Sequence, residues 1–73
     1  MEDFFTYQIR IRGQVEAEDL NAGSPMQLTV EHADQNVTLV SVYTDQAGVI
    51  GLMRHLHGLG FQLLSVVNDA KPK

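Results

Sequence analysis

Cysteine is absent from the 73 residues, which removes disulfides and thiolate metal sites as supports for the fold. Lysine occurs only as Lys71 and Lys73, so no phosphate-binding loop with its lysine can be assembled from the body of the chain. No apolar run approaches the roughly 20 residues that a membrane span needs. The opening residues Met1, Glu2, Asp3, Phe4 and Phe5 are acidic at the start and lead into no long apolar core. No secretory leader is therefore expected, and a cytoplasmic setting is the default. Cationic charge is scarce as well, with nine carboxylates against five Lys and Arg. That balance weighs against nucleic acid and anionic membrane as partners, because phosphate binding is largely electrostatic.

These absences leave one support for so short a chain. A domain of this size buries only about 60% of its unfolded surface, and its stability margin is thin. With disulfides and metals removed, self-association is what remains, and a homodimer is the expected state.

What is present is a regular succession of hydrophobic patterns. After a loose lead-in over 1–3, Tyr7, Ile9 and Ile11 alternate with Gln8, Arg10 and Arg12, the mark of a half-buried strand. Gly13 weakens or bulges it before Val15. Residues 16–25 admit two readings, a bare loop or one to two helical turns over 16–22 anchored by Leu20, with Gly23 and Pro25 breaking any helix. Met26, Leu28 and Val30 predict a second strand, and residues 32–36 a polar turn. Over 37–43, Val37, Leu39 and Tyr43 share one face while Val40 and Val42 fill the other, which suits a central strand.

Residues 44–67 hold the strongest periodic signal. Thr44 or Asp45 is a good N-cap. At about 100° per residue, Val49, Leu52, Met53, Leu56 and Leu59 form one stripe. Ile50 lies on its edge, His55 and Gly51 fall opposite, and Gly60 stands where a C-terminal glycine belongs. A last strand follows over 61–67, with Leu63, Ser65 and Val67 on one face and Leu64 and Val66 on the other. From Asn68 the chain reads as tail, frayed through Lys71 and Lys73.

The order is β, short α or loop, β, β, α, β. It implies an α+β two-layer sandwich with an antiparallel four-stranded sheet, of ferredoxin-like βαββαβ plan if the short first helix forms. A hairpin over 16–25 would instead reverse the first strand and remove that plan. One full helix cannot cover four strands, so part of the sheet is expected to be covered by another copy.

The residues Asp45, Gly48, Val49, Ile50, Leu56, Leu59, Gly60 and Val66 resemble the strand–helix–strand half of ACT regulatory domains. In that family an Asp and a Gly open an aliphatic helix, and a Leu-Gly pair closes it before the next strand. Ala47 stands where the family usually has proline, and this half comes last here instead of first. The chain also resembles short bacterial proteins of unassigned function, through Tyr7, Ile9, Arg10 and Gly13 at the start and Asp45, Gln46, Ala47 and 63–66 later. The ACT resemblance implies a self-pairing ferredoxin-like fold that binds a small carboxylate, often an amino acid, at Asp45, Gln46, Ala47 and Gly48. A helix N-terminus favours such an anion, and Gly48 would let it approach the backbone. Asp45 is itself negative, however, and as a cap it would take those N–H groups.

Other chemistries find little footing. His55 and His57 point about 200° apart on a helix and cannot chelate one ion, and His32 sits in a turn, so no metal and no cofactor is expected. The plain reading is a solvent-facing His55 and a boundary His57. Ser24, Ser41 and Ser65 lie in no nucleophile elbow. Glu16, Glu18 and Asp19 form a solvated face, Asp34 is a turn residue and Asp69 belongs to the tail, so no catalytic site is expected. Gln8, Arg10 and Arg12 lack the interleaved aromatics of a nucleic-acid reader, because Tyr7 falls on the other face. They read as an open polar face or part of a dimer contact. Gly51 and Gly58 lie near Ala47 on the back of the helix, either as a close contact for a second chain or as drift at surface positions. Each interior glycine costs about 0.5–1 kcal/mol against alanine.

Overall fold

A computed structural model describes residues 4–24 and 26–69. Pro25, the lead-in at 1–3 and the end at 70–73, with Lys71 and Lys73, lie outside the described residues. The elements are β1 (Phe5–Arg12), α1 (Ala17–Asn21), β2 (Thr29–Ala33), β3 (Val37–Thr44), α2 (Gln46–Gly58) and β4 (Leu63–Asn68). One antiparallel sheet runs in the order β2-β3-β1-β4. This is the ferredoxin-like layout: β1 reaches β2 through a crossover carrying α1, and β3 reaches β4 through α2.

The alternation in β1 behaves as its pattern demands. Tyr7, Ile9 and Ile11 are buried while Arg10 and Arg12 are exposed. Gly13, at φ +86°, ends the strand and does not bulge it. The irregularity lies across from it, where β4 shifts register between the partners of Arg10 and Ile11.

The segment after β1 is a crossover and not a hairpin loop. Leu20 is fully buried and is the single apolar anchor of α1, whose first turn carries Glu18 and Asp19, charges that suit a helix start. Asn21 closes the crossover. Its Nδ2 donates to the carbonyls of Ala17 (2.9 Å) and Leu28 (3.1 Å), and its Oδ1 accepts from Leu28 N–H at 2.7 Å.

That clasp explains why the second strand begins late. Leu28 is buried, but its backbone bonds go to Asn21, so the ladder starts at Thr29 and runs on through His32 and Ala33. The turn is correspondingly tighter than 32–36. Asp34 closes it by accepting from Asn36 N–H (2.8 Å) and Val37 N–H (2.9 Å).

Helix α2 is capped at both ends. Asp45 accepts from Gly48 N–H at 2.7 Å. At the other end Gly60 adopts φ +95°, Gly60 N–H reaches His57 O (3.0 Å), and Phe61 N–H reaches Leu56 O (3.2 Å). This is a Schellman closure. Val49, Leu52 and Leu56 are buried, whereas Leu59, as C-cap, is 50% exposed.

His55 departs from expectation. It is half-buried, and its Nε2 is enclosed without a hydrogen-bond partner, because the packed face of α2 extends to the Gly48–Leu52–His55 side. His57 is exposed.

The β4 bulge also breaks the expected alternation. Leu63 pairs with Ile11 and Val66 with Ile9, so both pack on the core, while Leu64 is 49% exposed. The strand includes Asn68, and Asp69 N–H donates to Thr6 O at 2.7 Å, so the ordered chain runs past the expected start of the tail. The core thus gathers Tyr7, Ile9, Ile11, Leu20, Leu28, Val40, Val42, Val49, Leu52 and Leu56 between the sheet and the two crossovers. The opposite face of the sheet has no layer over it among the described residues.

Candidate functional site

Two places carried functional expectations: the turn at Asp45, Gln46, Ala47 and Gly48, and the surfaces a second chain would use. At the turn, Gln46 and Ala47 are exposed and Asp45 is half-buried. The Asp45 carboxylate already occupies the helix N-terminus by accepting from Gly48 N–H. A Cβ on Gly48 would overlap Thr44 Oγ1 and would come within 3.0 Å of Asp45 Oδ1. Gly48 is thus required by the chain's own packing. The space over its Cα is filled by Thr44 and Asp45, two neighbours in sequence.

Gly51 and Gly58 lie on the exposed back of α2, and a Cβ on either meets nothing within 4 Å. Among the described residues there is no group of three His, Cys, Asp or Glu able to hold a metal ion. No helix among them is long and apolar enough to cross a membrane.

The open sheet face is the larger feature. Residues paired directly across antiparallel strands share a face, so the register defines its membership. Level with Leu39 stand Arg10 on β1 and His32 on β2; level with Ser41 stand Gln8 and Thr29; level with Tyr43 stands Thr6. Ser65 and Val67 of β4 pair with Arg10 and Gln8. A depression in this face is lined by Gln8, Arg10, Leu39, Ser65 and Val67.

The face is partly apolar: Tyr43 is 68% and Val67 54% exposed, with Val37 and Leu39 half-buried. The Phe4 ring packs 5.4 Å from that of Tyr43. The β2 register shift between Val30 and His32 turns Glu31 onto this face, where Ser41 Oγ donates to its Oε2 at 2.7 Å. Sequence reasoning found Arg10 and Arg12 here but did not place Tyr43, Phe4 and Glu31 on the same face. The alternation within 37–43 was visible, but which side it shared with β1 depended on register. Tyr43 sits two paired levels from Arg10, so the aromatics and cations form separate ends and do not interleave.

The match to a family model covers residues 6–67, from β1 into β4, and includes both the turn and the open face. The chain belongs to DUF8691, a domain of unknown function. No curated protein and no solved structure matches this DUF8691 chain. The family match does not link it to ACT domains.

Proposed function

We propose that this DUF8691 chain is a non-catalytic homodimeric module, cytoplasmic, whose working surface is the open face of its sheet and whose role is assembly or regulation through protein contact. The observation that carries this reading is the uncovered sheet side. It presents Val37, Leu39, Tyr43 and Val67 among a few charges, while the helices serve the other side. Sheets with one layer commonly leave a solvated face, but that face is then cleanly polar. Apolar residues on the central strand β3 favour a covering partner. The acidic balance of the chain and the separation of Tyr43 from Arg10 favour protein over nucleic acid in that position.

Sensing of an amino acid or similar small carboxylate at Asp45, Gln46, Ala47 and Gly48, as the ACT resemblance implies, is the weaker form of the proposal. Asp45 takes the N–H that an anion would use, and Gly48 answers to Thr44. Sedimentation equilibrium tests the main reading: a dimer at micromolar concentration is expected, and a monomer there overturns it. A thermal-shift series with amino acids tests the weaker one, since a ligand bound only by the native state raises the melting temperature. No shift near millimolar concentration removes it.

A further inference from the structure

We propose that two copies stack through their open sheet faces about a twofold axis lying along β3, with Arg10 of each copy set over the partner's Glu31. The inference rests on the homodimer reading and adds the surface, the axis and the charged pair that fixes both.

The argument starts from how the face is arranged across the strands. Most of its apolar residues, Val37, Leu39 and Tyr43, lie on β3, with Val67 apart on β4. On one flank β1 carries Arg10 and Arg12; on the other β2 carries Glu31. An isologous contact lays a patch on its own copy, so residues on the axis meet themselves and the flanks exchange. An axis along β3 therefore sets apolar against apolar at the centre and β1 against the partner's β2.

The levels match as well as the flanks. Arg10 pairs with Leu39 on one side, and His32 pairs with Leu39 on the other, with Glu31 beside it in the bulge. A rotation about an axis parallel to the strands leaves height along them unchanged, so Arg10 arrives at the height of the partner's His32, with Glu31 next to it in the bulge and its carboxylate leaning toward Ser41, within the reach of a long arginine side chain. Aligned sheets pack at about 30° and about 10 Å apart. The axis then lies about 15° from β3, half that angle, a tilt that a long arginine side chain absorbs.

The charges are available for this. Among the described residues His32 Nε2 lies 3.4 Å from Asp34 Oδ2, an ion pair when the imidazole is protonated, and no opposite charge lies within 4.0 Å of Arg10, Arg12 or Glu31, whose carboxylate accepts from the neutral Ser41 hydroxyl. The competing axis, midway between β3 and β1, would set Leu39 over the partner's Arg10 and Glu31 over the partner's β4. It buries a cation on an aliphatic side chain and matches no charges.

Charge reversal with sedimentation and circular dichroism tests the proposal. Arg10→Glu or Glu31→Arg alone should weaken the dimer by about tenfold or more, and the double variant should restore it to within about threefold, the signature of a direct pair. Leu39→Asp, on the axis, should abolish it, whereas Val67→Asp, outside the overlap, should leave it intact. All five variants should keep the native spectrum, because these side chains lie off the core. A dimer indifferent to both single reversals, or one lost with Val67→Asp, overturns this arrangement and leaves the homodimer reading standing. An unmodified chain that is monomeric overturns both.

Discussion

Thr38, fully buried on β3, ties down the chain that leaves β1: its hydroxyl donates to Gly13 O at 2.7 Å and accepts from Val15 N–H at 2.9 Å. A buried hydroxyl with both capacities used holds the turn at Gly13 against the sheet and directs Val15 toward the core. Thr38→Val keeps the shape but strands a carbonyl and an N–H, and should cost about 1–3 kcal/mol. Thr38→Ser keeps both bonds and should cost less. Urea denaturation midpoints at equal slope compare the two; equal losses would mean that the methyl, not the hydroxyl, carries the effect.

The glycines of α2 should respond in opposite directions. Gly51→Ala meets nothing within 4 Å and should stabilise by about 0.5–1 kcal/mol, with less gain at Gly58 in the last turn. Gly48→Ala has the same propensity gain, but its Cβ overlaps Thr44 Oγ1, so the net effect should be destabilising. In a Thr44→Ala background the penalty at Gly48 should shrink, a coupling that a double-mutant cycle reads directly. If Gly51→Ala and Gly58→Ala raise stability and leave the oligomeric state unchanged, the back of α2 is not the dimer contact.

The fold was legible where one physical signal acted alone. Ile9 and Ile11 declare their face through strict alternation, and Gly60 stops α2 because a left-handed residue is needed, whereas Leu20 alone left 16–25 open between a loop and a helix. Legibility failed where a distant partner decided the outcome. Leu28 alternates like a strand residue, yet Asn21, 7 residues away, takes its backbone bonds. The side on which Leu63 falls was set by a bulge opposite β1, and the burial of His55 by how α2 lies on the sheet. The candidate face suffered most. Tyr43, Glu31 and Arg10 come to share one face only through the pairings of three strands, and no local pattern encodes those.

Asp34 should give the domain an acid-sensitive turn. The N–H groups of Asn36 and then Val37 hold its carboxyl below the usual carboxylate range, with a lesser contribution from His32, against a small opposing effect of burial. Those bonds favour the ionised form only in the folded turn, so the folded pKa lies below the unfolded one. The stabilisation is then complete above the unfolded value and is lost as pH falls through the folded one. Asp34→Asn keeps an acceptor without the titration, so the variant's stability should fall less steeply than that of the unmodified chain below about pH 4. Parallel curves in that range would show that the turn contributes nothing to acid sensitivity.

Leu20 should prove the costliest small truncation in the chain relative to the size of its element. Helix α1 is only 5 residues long with no side-chain N-cap bond, far below the length at which a helix holds itself. Its persistence must come from packing, and Leu20, fully buried, supplies that. Leu20→Ala should cost about 2–4 kcal/mol, transfer and cavity together, which is most of the roughly 3–5 kcal/mol that a core of this size provides. Asn21→Ala, which releases Leu28 from the clasp without opening a cavity, should cost about 1–2 kcal/mol. Both are read from denaturation midpoints at fixed protein concentration, because any dimer would couple stability to concentration. A loss below about 1 kcal/mol at Leu20 would place its side chain outside the core and leave the first crossover without an anchor.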